Sequence, residues 1–269
     1  MVNRETTEPQ DMHVRIRRSP IAVSTASVVI FLLIWQVVST FWISPFLLPS
    51  PLRVAHGAWQ LIRSGQLEYD TAISLARILT GWVFGALVGV PVGLLVGSFR
   101  IVKYMVDPFV HFFRFIPALA LTTLFMTWLG VGEASKIALI VYATGFLVTV
   151  GTATGVATVP EDKISAARCF GASGLFLFLK VRIPATAAHI YTAMRLALAN
   201  AFLVIIAVEM IAANSGLGYL TWTARLYFKV SWMFTAIITI GIAGFICDRL
   251  WRFVGGTLLR RYVRGAAGY

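Results

Sequence analysis

ILTGWVFGALVGVPVGLLVGSF, residues 78–99, carries no charged side chain. A bilayer core about 30 Å thick takes roughly 20 apolar residues as a helix, and this stretch meets that length. Its apolar character is continuous and does not alternate every second residue, so it reads as a helix and not as a barrel strand. Working outward, residues 21–43, 115–132, 137–160 and 230–247 are also free of charge. A further run, 184–213, is interrupted only by Arg195 near its start and Glu209 near its end. The sequence therefore predicts an all-α membrane protein with six transmembrane helices.

Composition agrees. Of the 269 residues, 58% are hydrophobic and 13% charged, with a mean hydropathy of +0.82; soluble domains run near 45–50% apolar and about 25% charged. This excludes a typical cytosolic enzyme and a disordered chain, which needs low hydrophobicity. Two cysteines exclude a disulfide framework or a zinc module. The first span is longer than the apolar core of a secretory signal and follows 20 polar and basic residues, so it reads as a permanent anchor.

The net charge of +12 is explained by its placement. With the N-terminus inside, the internal segments hold Arg4, Arg15, Arg17, Arg18, Arg100, Lys103, Arg114, Lys163, Arg168, Lys180, Arg182, Arg249, Arg252, Arg260, Arg261 and Arg264. The external segments hold only Arg53, Arg63, Arg77, Lys136, Arg225 and Lys229. The positive-inside rule puts both termini in the cytoplasm. Charges split among four segments do not form a nucleic-acid face. The predicted organisation is a cytoplasmic tail (1–20), a first transmembrane helix (21–43), and an external segment with an amphipathic stretch (44–77). A five-helix core (78–252) with a cytoplasmic loop at 161–182 follows, then a basic tail (253–269). No G-x-x-x-x-G-K-[ST] loop is present, so energy for any pumping comes from a partner or an ion gradient.

Residues 161–182 are the most informative loop. Thr158-Val159-Pro160-Glu161-Asp162 is a helix start, with proline and two carboxylates in the first turn. Gly171 is expected to stop that helix in a left-handed turn. Ser173 is expected to cap a second short helix through Lys180, before Pro184 opens the fifth span. Leu175, Phe176, Leu177, Phe178 and Leu179 are more apolar than a solvated loop should be. Two readings fit: a helix lying among lipid headgroups, or a knob that inserts into a soluble partner.

Ser165-Ala166-Ala167, three residues, Gly171, nine residues, then Val181-Arg182-Ile183-Pro184 resembles the E-A-A-x3-G-x9-I-x-L-P loop of ABC-importer permeases. Six further markers, in order over residues 45–255, resemble the nitrate/sulfonate/taurine branch. They are Leu48-Pro49-Ser50-Pro51, Ser74-Leu75-Ala76-Arg77, Asp107-Pro108, Arg114-Phe115-Ile116-Pro117-Ala118-Leu119-Ala120, Gly130-Val131-Gly132-Glu133 and Ala212-Ala213-Asn214-Ser215-Gly216-Leu217-Gly218-Tyr219.

The resemblance implies a type I importer permease in the bacterial inner membrane: a non-catalytic subunit whose two copies form an alternating-access pathway. It implies two cytoplasmic ATPase subunits gripping the 161–182 loops through Ser165, Ala166, Ala167, Gly171, Ser173, Phe176 and Pro184. ATP and Mg would be held by those ATPases and no cofactor by this chain. A periplasmic binding protein would deliver a small oxyanion, with an aliphatic sulfonate or taurine first and nitrate or bicarbonate next. Pyrimidine precursors and aromatic carboxylates also lie within the branch. Ser165 stands where the motif has Glu, and Thr122-Thr123 where relatives often carry an apolar residue and proline. Arg114, Pro117, Thr122, Thr123, Met126 and Glu209 are the candidate pathway or gating residues.

Ionisable groups within spans default to functional readings. Glu209 and Arg77 lie at comparable depth and are expected to pair, locking helices together; gating and substrate contact are the other roles open to Glu209. Glu209→Arg alone is expected to abolish assembly, and adding Arg77→Glu to restore it. Arg195 and His189 read as interfacial residues, and Gly81, Gly85, Gly89 and Gly93 as a close-packing stripe. Residues 212–222 form either a re-entrant turn or a surface for the binding protein. There is no catalytic constellation. An ion-coupled carrier, the reading from a different class, would need mid-membrane acidic or histidine residues and an inverted repeat, and neither is visible.

Overall fold

The computed structural model describes residues 20–258; the terminal basic residues Arg4, Arg15, Arg17, Arg18, Arg260, Arg261 and Arg264 lie outside the described residues. The chain divides into two compact units, residues 1–52 and 53–269. The first contains α1 (Pro20–Phe41), an apolar helix long enough to cross a membrane.

The second unit is built on helices throughout its described residues, and α2 (Pro51–Arg63) leads into it. α3 (Gln66–Ser98) is followed by α4 (Arg100–Phe113), a 3-10 turn (Ala118–Leu121) and α5 (Thr122–Leu129). Then come α6 (Glu133–Ala157), α7 (Glu161–Cys169), α8 (Gly174–Leu177), a π turn (Phe178–Arg182) and α9 (Ile183–Ala212). α10 (Leu217–Leu226) and α11 (Val230–Leu258) complete it.

α3, α6 and α9 form the centre. The glycine stripe on α3 faces α6 so closely that a methyl at Gly89 would lie 2.7 Å from the Gly145 carbonyl, and one at Gly93 2.6 Å from that of Thr149. Without water to drive apolar surfaces together, such close backbone approach is what holds helices in a bilayer. Ile78, Trp82, Ile140, Val148, Ala201 and Ile205 are buried around this contact. The Trp82 indole N–H donates to the Met194 carbonyl at 2.8 Å. Its ring meets Trp251 edge-on at 4.8 Å, which joins α11 to the same core. α2 packs through Val54, Gly57 and Leu61, and its Val54 carbonyl accepts from the Thr235 hydroxyl on α11.

Four boundaries differ from the sequence reading. α3 begins at Gln66, inside the stretch expected to be external loop, because Asp70, Ser74 and Arg77 are buried and partnered along it. The run 115–132 is not one continuous helix. α4 ends at Phe113, and the two helical pieces on either side of residues 114–117 are bent by 88°. Pro117 supplies no N–H and Ile116 before it is biased to extended backbone, so the helix cannot continue through this point.

The third difference lies after α7. The second helix of the coupling loop is not separate: α8, the π turn and α9 run on as one helix from Gly174 to Ala212. Pro184 does not open a new helix, because the extra residue of the π turn lets the backbone pass a proline whose ring would otherwise strike the carbonyl four residues back. Ser173 sits at the start of this helix without capping it through its side chain. Finally, α11 continues to Leu258, beyond the expected end of the sixth span.

Candidate functional site

Three features carry the site. The first is a buried polar hub where α3, α6, α9 and the start of α10 meet. Arg77 donates through Nη1 to Glu209 Oε1 at 2.7 Å, and through Nε and Nη2 to both oxygens of Glu133 at 2.6 Å. Lys136 Nζ adds a bond to Glu133 at 3.0 Å. Glu209 is fully buried, and the Ser74 hydroxyl lies 2.8 Å from both of its oxygens. The loop after α9 closes on this cluster. The N–H groups of Gly216, Leu217 and Gly218 donate to Asp70 Oδ1 at 2.7 Å, Ser74 Oγ at 2.9 Å and Glu209 Oε2 at 2.9 Å. These are the unpaired donors at the start of α10, so α3 and α9 cap that helix from outside it. Gly216 has φ 110° and a methyl there would strike the Glu209 carboxylate, which leaves glycine as the residue that fits.

The second feature is an open cavity of about 700 Å³ lined by Arg114, Pro117, Tyr142, Phe146, Asn200 and Leu203 among others. Its wall includes the irregular backbone of residues 114–117. Non-helical backbone at membrane depth is tolerated where it is buried in protein or lines a wet cavity. The Tyr142 hydroxyl holds the bend by donating to the Phe113 carbonyl at 2.6 Å. The Arg114 guanidinium lies 4.8 Å over the Phe115 ring.

The third feature is the segment 161–182. Val159, Ile164 and Leu177 pack together into a small core that fixes α7 against α8. Gly171, at φ 83°, turns the chain between them. The apolar tip faces outward: Phe170 is 92% exposed, Leu175 70% and Phe176 59%. Ser165 and Ala166 lie on the exposed side of α7, with Ala167 half-buried.

Of the residues read as pathway or gating candidates, the structure brings Arg114 and Pro117 to the cavity but not Thr122, Thr123, Met126 or Glu209. Thr122 is buried and its hydroxyl donates to the Leu119 carbonyl within its own turn. Glu209 belongs to the hub. Arg195, read as an interfacial anchor, grips Asp248 of α11 through Nε at 2.5 Å and Nη2 at 3.1 Å, and Asp248 also accepts from Arg252. Asp70 and Asp248 were missed by the sequence reading, and Glu133 and Ser74 were noted only as marker residues. The signal for two of them was present: Asp70, Ser74 and Arg77 fall on one face once residues 66–77 are read as helix.

Comparison with known proteins gives the same architecture. Residues 89–258 match the family described as the binding-protein-dependent transport system inner membrane component. A Brucella melitensis protein named as an ABC transporter permease is 40% identical over 203 residues, covering 76% of this chain and 82% of that one. SsuC of Escherichia coli, named as an aliphatic sulfonates transport permease, is 34% identical over 226 residues, covering 81% and 86%. The MetNI methionine ABC transporter in its inward-facing conformations gives a TM-score of 0.59 at 20% identity, over 77% of this chain and 98% of that one. The chain is a multi-pass inner-membrane protein and belongs to the binding-protein-dependent family of ABC transporter permeases.

Proposed function

We propose that two copies of this chain form an alternating-access pathway for a small oxyanionic solute, driven by two cytoplasmic ATPase subunits and supplied by a periplasmic binding protein. The observation that carries this reading is the exposed apolar tip on 161–182. Phe170, Leu175 and Phe176 stand out from a firm base, and that base is continuous with the helix that ends at the Glu209 hub. An exposed apolar cluster on a rigid mount suits insertion into a groove of a soluble partner. ATP and Mg belong to that partner in this reading, and both termini face the cytoplasm.

Arg114 beside an apolar cavity wall suits a substrate with one anionic head and an organic body. Together with the likeness to SsuC, this favours an aliphatic sulfonate or taurine ahead of nitrate or bicarbonate. The test is reconstitution with an ATPase subunit and a periplasmic binding protein of the same importer class. ATP-dependent uptake is expected, with Phe176→Asp and Gly171→Val leaving membrane insertion intact while ATP hydrolysis no longer drives uptake. Transport by the chain alone, without ATP, would overturn the reading in favour of an ion-coupled carrier.

A further inference from the structure

We propose that the cavity between the end of α3 and the root of α9 is a binding site for a phosphate oxyanion, supplied by an anionic phospholipid headgroup or by free phosphate. The cavity is about 360 Å³ and is lined by Arg168, Arg182, Ser98, Ser173, Phe99 and Phe178 among others, with no acidic residue among the described ones. Arg182 is held in place by donating through Nη1 to the Ser98 carbonyl at 2.9 Å. That leaves its Nε, which is buried and meets no partner among the described residues. The Ser98 hydroxyl is in the same condition.

A buried donor without an acceptor is destabilising, and two beside one cavity favour a ligand that accepts from them once the side chains turn toward it. Two guanidinium groups and two hydroxyls offer more donors than a carboxylate can use. A phosphate has enough oxygens and enough charge to take them, and planar guanidinium forks match its geometry. Phe99 and Phe178, with ring centroids 6.0 Å apart, give the cavity an apolar wall that suits a headgroup carrying acyl chains. The site joins three elements, since Arg168 comes from the end of α7, Arg182 from the π turn and Ser98 from the end of α3. A bound phosphate would therefore tie the 161–182 segment to the membrane core.

The experiment titrates the purified full-length chain in detergent. One arm adds phosphatidylglycerol, with phosphatidylcholine as control, and follows bound lipid by native mass spectrometry. The other adds inorganic phosphate, with chloride at equal ionic strength as control, and follows thermal unfolding. Saturable binding in either arm is expected, and the arm that saturates identifies the source. Arg168→Gln, at an exposed position, should weaken it by about tenfold. Arg182→Lys, which keeps the charge but loses the Nε donor, should weaken it too. Lys103→Gln, a basic residue outside the cavity, should leave it unchanged. No binding in either arm overturns the proposal. So does equal binding by wild type and Arg168→Gln, or an equal loss in Lys103→Gln. If Arg182→Lys fails to fold, the Arg168 and Lys103 variants still decide.

Discussion

Arg77 donates to Glu133 and Glu209 together, and Glu209 in turn accepts from Ser74 and the Gly218 N–H. The simple exchange Arg77→Glu with Glu209→Arg is therefore expected to fail. It would set a new carboxylate against Glu133 and a cation against the N–H of Gly218. Yield of monodisperse protein in detergent should be no better for the double variant than for Glu209→Arg alone; recovery to wild-type yield would show a simple pair. Glu209→Ala leaves a buried guanidinium short of a partner and should cost about 3–5 kcal/mol, read as a lower unfolding temperature. Glu133, 57% exposed, should matter less, and Glu133→Gln is expected to cost about 1 kcal/mol. The Arg77–Glu209 contact was legible because two opposite charges at one membrane depth have few other ways to be stabilised. Asp70 and Ser74 were not, because a stretch bearing Glu68, Asp70 and Arg77 has the composition of a loop. Only their burial in three dimensions turns it into helix.

At the scale of elements, α3 and α6 depend on absent side chains. Gly89→Val should force the two backbones apart, destabilising the protein by about 1–3 kcal/mol in thermal unfolding, while Gly256→Val, in open space, should have little effect. The long helices were readable because uninterrupted apolar runs have one stable form in lipid. Continuity was harder to read in both directions. An apolar run fixes hydrophobicity but not straightness, so at Ile116-Pro117 the proline marks a kink or helix start but not the size of the 88° bend. Conversely, Pro184 looked like a helix start because the π turn that accommodates it has no sequence signature.

For the whole molecule, orientation is the property that basic residues encode. Cys169 is exposed on the 161–182 segment, whereas Cys247 is partly covered within α11. In a Cys247→Ser background, a membrane-impermeant maleimide should label Cys169 in inside-out vesicles and spare it in right-side-out ones. The reverse pattern would turn the molecule over. The unbroken helix from Gly174 to Ala212, 39 residues, also has a mechanical consequence. At 1.5 Å per residue it is a rod about 58 Å long, with Phe176 near one end and Glu209 near the other. Tilting such a rod by about 5° displaces one end relative to the other by about 5 Å, close to one helical turn. In the proposed cycle the hub at Glu209 would serve as the fulcrum of a lever. A stroke of about 5 Å at the tip would become a shift of about 1 Å in Asn200 and Leu203 on the short arm beside the fulcrum, with no part of the helix needing to bend.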